Sequence, residues 1–490
     1  MHYVWLLLCA VGLILYTVWG SYFARNPLDN IPGPPRQHWW TGNLDQIFAR
    51  YVWDFHKVLA ERYGPVSKFY GPLGARELYV FDPKAMYHIM VKDQNTFEVT
   101  PAFSATNKVL FGDGLLSTTG EHHRKQRKML NPVFSISHVR DMVPAFLKVT
   151  KCVKHGSREI NVLEWLNRTA LELVGQSGLR YSFDCLQECY ANPYSTAVKN
   201  LLPTIFKVSV ARKFLPFLIN EICSIVDAMD ETSMKVLEEK KCALSKGDDA
   251  VLHQIGEGKD ITSILLRANM DASAEDRLPD LELMAQMSTL VFTATHTTAG
   301  ALCRTLLTLA HHQDAQDRLG EEIQLAMAEL GELDYDALAN LPYLDAVCRE
   351  TLHLYPPVTT VARTAADNIV LPFSRPVKGN DGTYMHEVLV PKNTNVVVNQ
   401  KKWLSPLPQS VIDAEIPGVY SHLMTFIGGG RACIGFRFSE LEMKIVLCTL
   451  IQAFKFTPTK EIDWTMQVSS PNVKGSEDAK WQLPLRVESR

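Results

Sequence analysis

The hydrophobic pattern of this chain changes character three times. From Tyr3 to Tyr22 it is apolar and uncharged, reading YVWLLLCAVGLILYTVWGSY. Twenty residues at ~1.5 Å rise each span ~30 Å, the thickness of a bilayer core. Trp5, Tyr16, Trp19 and Tyr22 lie toward its two ends, where interfacial aromatic residues belong. Asn26-Pro27 and Ile31-Pro32-Gly33-Pro34-Pro35 then forbid a continuing helix and favour a stiff, extended path. Beyond about Trp39 apolar residues recur with helical period. Such runs extend from about Asp280 to Ala310, from Tyr343 to Tyr355 before Pro356-Pro357, and from Phe436 to Phe454. Strand-like runs are short: Leu78–Phe81, Glu387–Val390 and Asn395–Val398. The pattern predicts a membrane-spanning helix at 3–24, a proline-rich hinge at 25–38 and one domain over 39–490. That domain reads as mainly α with small β-sheets.

Composition narrows this modestly. With 490 residues, 46 % of them hydrophobic, the chain can bury a large core, and its net charge of −3 gives no reason to expect a nucleic-acid partner. Ten cysteines are scattered, and only Cys185 and Cys189 lie close together, without the second pair a zinc site needs. They read as reduced residues in a reducing compartment. His2 is the only near-charged residue before the apolar run, whereas Arg25, Arg36 and Arg50 follow it, which places the body of the protein in the cytosol. A secretory signal would begin with charge and end at a small-residue cleavage site. The sequon Asn167-Arg168-Thr169 is then expected to be bare.

The chemistry concentrates near the C-terminus, in Phe426-Ile-Gly-Gly-Gly-Arg-Ala-Cys-Ile-Gly435. Three glycines permit backbone angles that other residues resist, so the loop can press closely against something flat. Backbone N–H groups there, with the N-terminus of the following helix, favour a thiolate at Cys433. Such a thiolate suits a haem iron, although a buried structural cysteine fits the same turn. Upstream, Leu290-Val-Phe-Thr-Ala-Thr-His-Thr-Thr298 is apolar on nearly all sides and predicts a central helix. Its threonine hydroxyls can bond carbonyls one turn earlier and loosen it. Gly120-Glu-His-His-Arg-Lys-Gln-Arg-Lys128 sets His123 and Arg127 on one helix face, while Arg124, Lys125 and Lys128 occupy the others.

Phe426-x-x-Gly-x-Arg-x-Cys-x-Gly435 resembles the cysteine loop of the cytochrome P-450 family at every fixed position. The resemblance implies the cytochrome P-450 fold and haem b (iron protoporphyrin IX), with Cys433 as the axial ligand of the iron. It also implies that Phe426 packs on the sulfur, Gly435 closes the loop and Arg431 binds a haem propionate. The helix through Thr298 is similar to the family's distal helix. Thr297 there aligns with the threonine that hydrogen-bonds dioxygen, and His296 stands in place of the acid as a proton relay, its ordinary pKa near ~6.5 suiting that task. His123 and Arg127 match the family's W-x-x-x-R with histidine for tryptophan. Arg363 matches a further propionate-binding arginine after a substrate-lining stretch. Phe103, Phe111, Phe292 and Val358 are pocket-lining candidates, suited to a small lipophilic substrate.

The same resemblance implies a monooxygenase of the endoplasmic reticulum membrane, using O2 and electrons from a separate NADPH-dependent flavoprotein reductase. The chain carries no strand-G-x-G-x-x-G-helix unit of its own for a nicotinamide or flavin. Arg124, Lys125 and Lys128 would contribute a basic docking surface. Two family features are missing. The E-x-x-R helix reads Glu350-Thr-Leu-His353, and the chain runs from Val398 directly to Trp403 with Lys402 in place of the meander arginine. Both departures leave Glu350 without its arginines, at a cost of a few kcal/mol if it is buried. These departures leave open a sequence that has lost a coding segment, a degenerate inactive member, or a variant in which Lys402 and His353 rebuild a weaker lock. His296 in place of the acid leaves open an isomerase or dehydratase that needs no O2.

Overall fold

The computed structural model describes residues 25–49, 51–144, 158–183, 193–207, 216–245, 260–331, 333–400, 418–420, 423–466, 468–476 and 481–490. Of the first 24 residues it describes only Trp5, Cys9, Gly12, Leu13 and Tyr16. The predicted span at 3–22 lies outside the described residues except at those five positions, which are helical and exposed. Among the described residues no helix is long and apolar enough to cross a membrane. Lys402, Trp403, Cys185 and Cys189 also lie outside them. The chain divides into two compact units, 1–101 with 358–432 and 465–467, and 102–357 with 433–464 and 468–490.

The first unit is built on a five-stranded sheet. Its strands are β1 (Val66–Tyr70), β2 (Arg76–Val80), β3 (Phe97–Val99), β4 (Thr360–Ala365) and β5 (Asn395–Asn399), in the order β1-β2-β5-β4-β3. Central β5 pairs parallel to β2 and antiparallel to β4. Successive strand residues point to opposite faces, and both faces of β5 are covered. Val396 and Val398 join Leu78 and Val80 in one cluster, whereas Val397 joins Tyr79, Phe69 and Leu59 in another. That explains why the sequence runs Val-Val-Val instead of alternating with polar residues.

The predicted hinge is part of this unit. Lys68 N–H donates to the Pro32 carbonyl (2.8 Å), and a Cβ on Gly33 would fall 1.8 Å from the Lys68 carbonyl oxygen. Arg76 holds Asp29 at 2.9 Å. Asn380 N–H donates to the Asn30 carbonyl (2.8 Å) and Asp381 N–H to the Asn30 side chain (3.1 Å).

The second unit is mainly helical. The helices that bear on function are α1 (Gly120–Leu130), α2 (Val162–Val174), α3 (Pro193–Lys207), α4 (Asp280–His311), α5 (Pro342–Leu354) and α6 (Phe436–Ala453). Pro342 opens α5, where its missing N–H costs nothing, and the Glu322 carboxylate accepts the Tyr343 and Leu344 N–H groups at 2.8 Å each. Helix α4 is buried along most of its length, as its apolar circumference predicts, and Gly300 lets it approach the Ser469 backbone: a Cβ there would lie 2.8 Å from that carbonyl oxygen. A three-stranded sheet of Phe454–Pro458, Pro484–Ser489 and Arg158–Asn161 completes the unit's strands together with the pair Ile462–Trp464 and Pro471–Val473.

Asn167 lies inside α2, and Thr169 is 7 % exposed with its hydroxyl donated to the Trp165 carbonyl (2.9 Å). In the folded protein the sequon is therefore part of a helix, with Asn167 half-buried.

Candidate functional site

The cysteine loop leaves a strand at Leu423–Gly428, makes a single turn at Gly429–Arg431 and enters α6 after Gly435, whose carbonyl accepts the Ser439 N–H (2.9 Å). The glycine triplet does less than its sequence suggests. Gly428 is extended (φ −129°), and the left-handed positions are Gly429 (φ +67°) and Ile427 (φ +59°). A left-handed backbone costs a side-chain-bearing residue ~1–2 kcal/mol. Burying an isoleucine side chain returns ~1.5–3 kcal/mol, and Ile427 packs against the first unit's apolar cluster. Packing therefore offsets the strain.

Cys433 retains accessible surface, yet protein surrounds it densely enough that burial raises its thiol pKa. The Gly435 N–H and the Arg127 guanidinium act in the opposite direction and favour the thiolate. The expected stabilisation by the turn is present and Arg127 adds to it, but desolvation outweighs both. A bound metal ion reverses that balance, because coordination deprotonates a thiol outright. Arg127 lies one turn beyond His123 on α1, with His123 6 % exposed, and its Nε donates to Asn131 Oδ1 (3.0 Å). The remaining cations of that run are engaged within the same unit. Arg124 pairs with Glu121 (2.5 Å), Lys125 donates to the Glu275 carbonyl (2.5 Å), and Lys128 faces Asp276 (3.6 Å).

In the first unit Arg363 and Arg431 lie close enough to repel one another, with Glu98 as their shared counter-charge. Arg431 bonds Glu98 at 3.2 Å. Arg363 is 6 % exposed, and its hydrogen bond among the described residues goes to the Ala362 carbonyl (2.9 Å). Desolvation, with Arg431 adding to it, pushes the Arg363 pKa down to about 10. A buried Arg363 and a partly buried Arg431 beside Glu98 present guanidinium donors of the kind that suits a carboxylate-bearing cofactor such as haem.

On α4 the threonine hydroxyls bond back as expected: Thr293 to the Thr289 carbonyl (2.8 Å), Thr295 to Val291 (2.7 Å) and Thr297 to Thr293 (2.6 Å). The helix is nevertheless continuous from Asp280 to His311, so the predicted loosening is absent. Each bond uses a second lone pair of its carbonyl and leaves the helical ladder intact. The His296 ring meets the Val198 carbonyl of α3 at 3.0 Å, and burial drives its pKa down to about 4. Phe292 stands edge-on to that ring (5.8 Å) and tilts against Phe111 (4.8 Å). Of the other pocket candidates, Phe103 is exposed and Val358 half-buried.

The E-x-x-R departure has a different outcome from the expected one. Glu350 pairs with His353 (3.2 Å), as their i,i+3 spacing predicts, but its side chain is 65 % exposed. No buried charge is abandoned there. An orphan carboxyl does occur at Glu442 on α6, fully buried with neither oxygen hydrogen-bonded and its pKa raised well above the usual range by desolvation. Nothing in its spacing marked it. Glu98 was equally silent, being one polar residue in a three-residue strand.

The cytochrome P450 family model matches residues 32–404 and 409–476. The chain is 46 % identical to cytochrome P450 monooxygenase 91 of Postia placenta, over 98 % of each chain. It is 47 % identical to cytochrome P450 monooxygenase 81 of the same organism, over 98 % of this chain and 95 % of the relative. It is also 39 % identical to a ganoderic acid synthetase of Ganoderma lucidum, over 98 % of each. The chain belongs to the cytochrome P450 family, and is a haem b-binding monooxygenase of that class. The family match breaks between 404 and 409, just beyond Trp403. The Postia alignments run to 531 and 527 positions, so stretches of those relatives have no counterpart among these 490 residues.

Proposed function

We propose that this chain inserts one atom of O2 into a small lipophilic substrate, taking electrons from a separate NADPH-dependent flavoprotein reductase. Haem b, when bound, supplies the activation of dioxygen for that transfer. The Cys433 thiolate holds it from the protein side, with Phe426 against the sulfur and Gly435 closing the loop. Arg431, Arg363, Arg127 and His123 neutralise its propionates. The observation that carries this reading is Arg363, a buried guanidinium beside a second arginine, whose hydrogen bond among the described residues goes to the Ala362 carbonyl.

Thr297 is the proton-bearing hydroxyl of α4. It spends its own proton on the Thr293 carbonyl, and rotating that hydroxyl offers the proton elsewhere at the loss of about 1 kcal/mol of hydrogen bond. His296 serves as a neutral clamp between α4 and α3, since a ring with pKa about 4 holds no extra proton at neutral pH. Phe111 and Phe292 give the substrate an apolar wall. The apolar run at 3–24 anchors the chain in the endoplasmic reticulum membrane with its body in the cytosol, supported by the arginines that follow it.

The reduced, carbon-monoxide-bound absorption spectrum of the expressed full chain tests the reading. A strongly red-shifted Soret band is expected from thiolate ligation. A band at the unshifted position, or no haem band with protein present, would sink it.

A further inference from the structure

The cysteine loop is gripped from one side by a single stretch of the first unit, Met90 to Glu98. A Cβ on Gly429 would fall 2.6 Å from the Met90 carbonyl oxygen and 2.4 Å from Gln94 Oε1. The Gly430 N–H donates to Gln94 Oε1 at 2.5 Å, and Arg431 donates to Glu98 at 3.2 Å. Strained Ile427 packs into the apolar cluster that holds Ile89 and Met90. Apolar packing, a backbone hydrogen bond and an ion pair thus fall on consecutive parts of one loop, ending two residues before Cys433.

The gripping stretch is itself braced. His88 Nδ1 meets Asp93 at 2.6 Å, the Asp93 carbonyl accepts the Thr96 and Phe97 N–H groups (2.9 and 3.1 Å), and the Thr96 carbonyl accepts the Ala366 N–H (2.7 Å). A braced element can transmit a fixed position to the loop, which a lone surface contact cannot.

We propose that Met90–Glu98 is a strap that fixes the cysteine loop, with Gln94 as its positioning residue. It rests on the haem-thiolate reading of Cys433. Gln94 acts through Gly430, touching neither cofactor nor substrate. Its one requirement is an acceptor oxygen at the place of Oε1, which glutamate retains and alanine lacks.

The test uses the full chain, expressed with haem supply, as wild type, Gln94→Ala and Gln94→Glu. The readouts are the rate at which the red-shifted carbon-monoxide band converts to the unshifted one at a fixed elevated temperature, and hydrogen exchange of the peptide over 423–435. Losing one backbone hydrogen bond should speed both by about tenfold in Gln94→Ala, while Gln94→Glu stays within about threefold of wild type. Wild-type rates in Gln94→Ala overturn the strap. Should the alanine variant fail to fold, Gln94→Glu decides: a retained red-shifted band supports the acceptor role, and its loss overturns it. A wild-type chain without the red-shifted band defeats the thiolate reading instead, and the exchange rates alone then judge the strap.

Discussion

Helices α5 and α6 lie side by side in the second unit, joined by Lys444 to Asp345 at 2.8 Å, and each carries one glutamate whose partner is in question. Glu350 on α5 belongs to a motif that has lost its arginine, and it stands in water beside His353. Glu442 on α6 raises no alarm in the sequence, yet it is sealed in the core without a hydrogen bond. The contrast shows that a missing motif partner is expensive only where burial makes it so. An exposed pair is worth ~0–1 kcal/mol, whereas an unpaired buried carboxyl costs several times that even when protonated.

That comparison can be pressed at its strongest contact first. Lys444 is 5 % exposed and bonds both Asp345 and Glu440. Replacing Lys444 with Met should lower stability by about 2 kcal/mol, read by chemical denaturation, because Glu440 loses its cation and Asp345 keeps only Arg349 (2.7 Å). A loss below about 1 kcal/mol would show that the helices are not held together there.

Acid comes next. His56 and His296 both have pKa values near 4 in the fold, lowered by burial, against about 6.5 unfolded. Their neutral rings contribute stability that is present above pH 6.5 and lost as the pH falls toward 4, by about 3 kcal/mol each. Glu442 works in the opposite sense. Its raised pKa means that it favours the fold at low pH and opposes it as the pH rises past about 4.5. Replacing Glu442 with Leu should therefore steepen the loss on acidification, seen by following the unfolding midpoint from pH 7 to pH 4.

At pH 7 that same Glu442→Leu substitution should raise stability by about 2 kcal/mol, since it removes an orphan polar group and keeps the volume. A destabilised variant would mean that the carboxyl has a partner after all. The smallest effect is expected at Glu350→Ala, within about 0.5 kcal/mol of wild type in the same denaturation experiment.

What could be read in the sequence follows from periodicity and spacing. Helix α4 was predicted over 280–310 and spans 280–311, and the Val396–Val398 strand was found where its β-branched run indicated. The cysteine loop was legible as a motif, and the family it resembles is the one the chain belongs to. What escaped were properties set by distant chain segments. The left-handed turn at Ile427 depends on the cluster that receives its side chain, and Glu98 comes near Arg363 only because β3 pairs with β4, with Glu98 opposite Thr364 and Val99 opposite Arg363. The burial of Glu442 is likewise a fact of packing. The pairing of His296 with Val198 joins residues 98 positions apart, which no local pattern reports.

The docked segment Asn26–Gly33 has a consequence for how the protein is carried. A flexible tether lets its cargo tumble through every orientation, whereas a chain leaving from a bonded post restricts it to a narrow cone. With Asp29, Asn30 and Pro32 each bonded to the sheet unit or its hairpin turn, the post begins at Asn26, a few residues beyond the apolar run. A surface that grips that run would therefore hold the sheet unit within a few residues' reach. Cutting the Asp29–Arg76 and Asn30–Asp381 bonds would turn a mast into a rope.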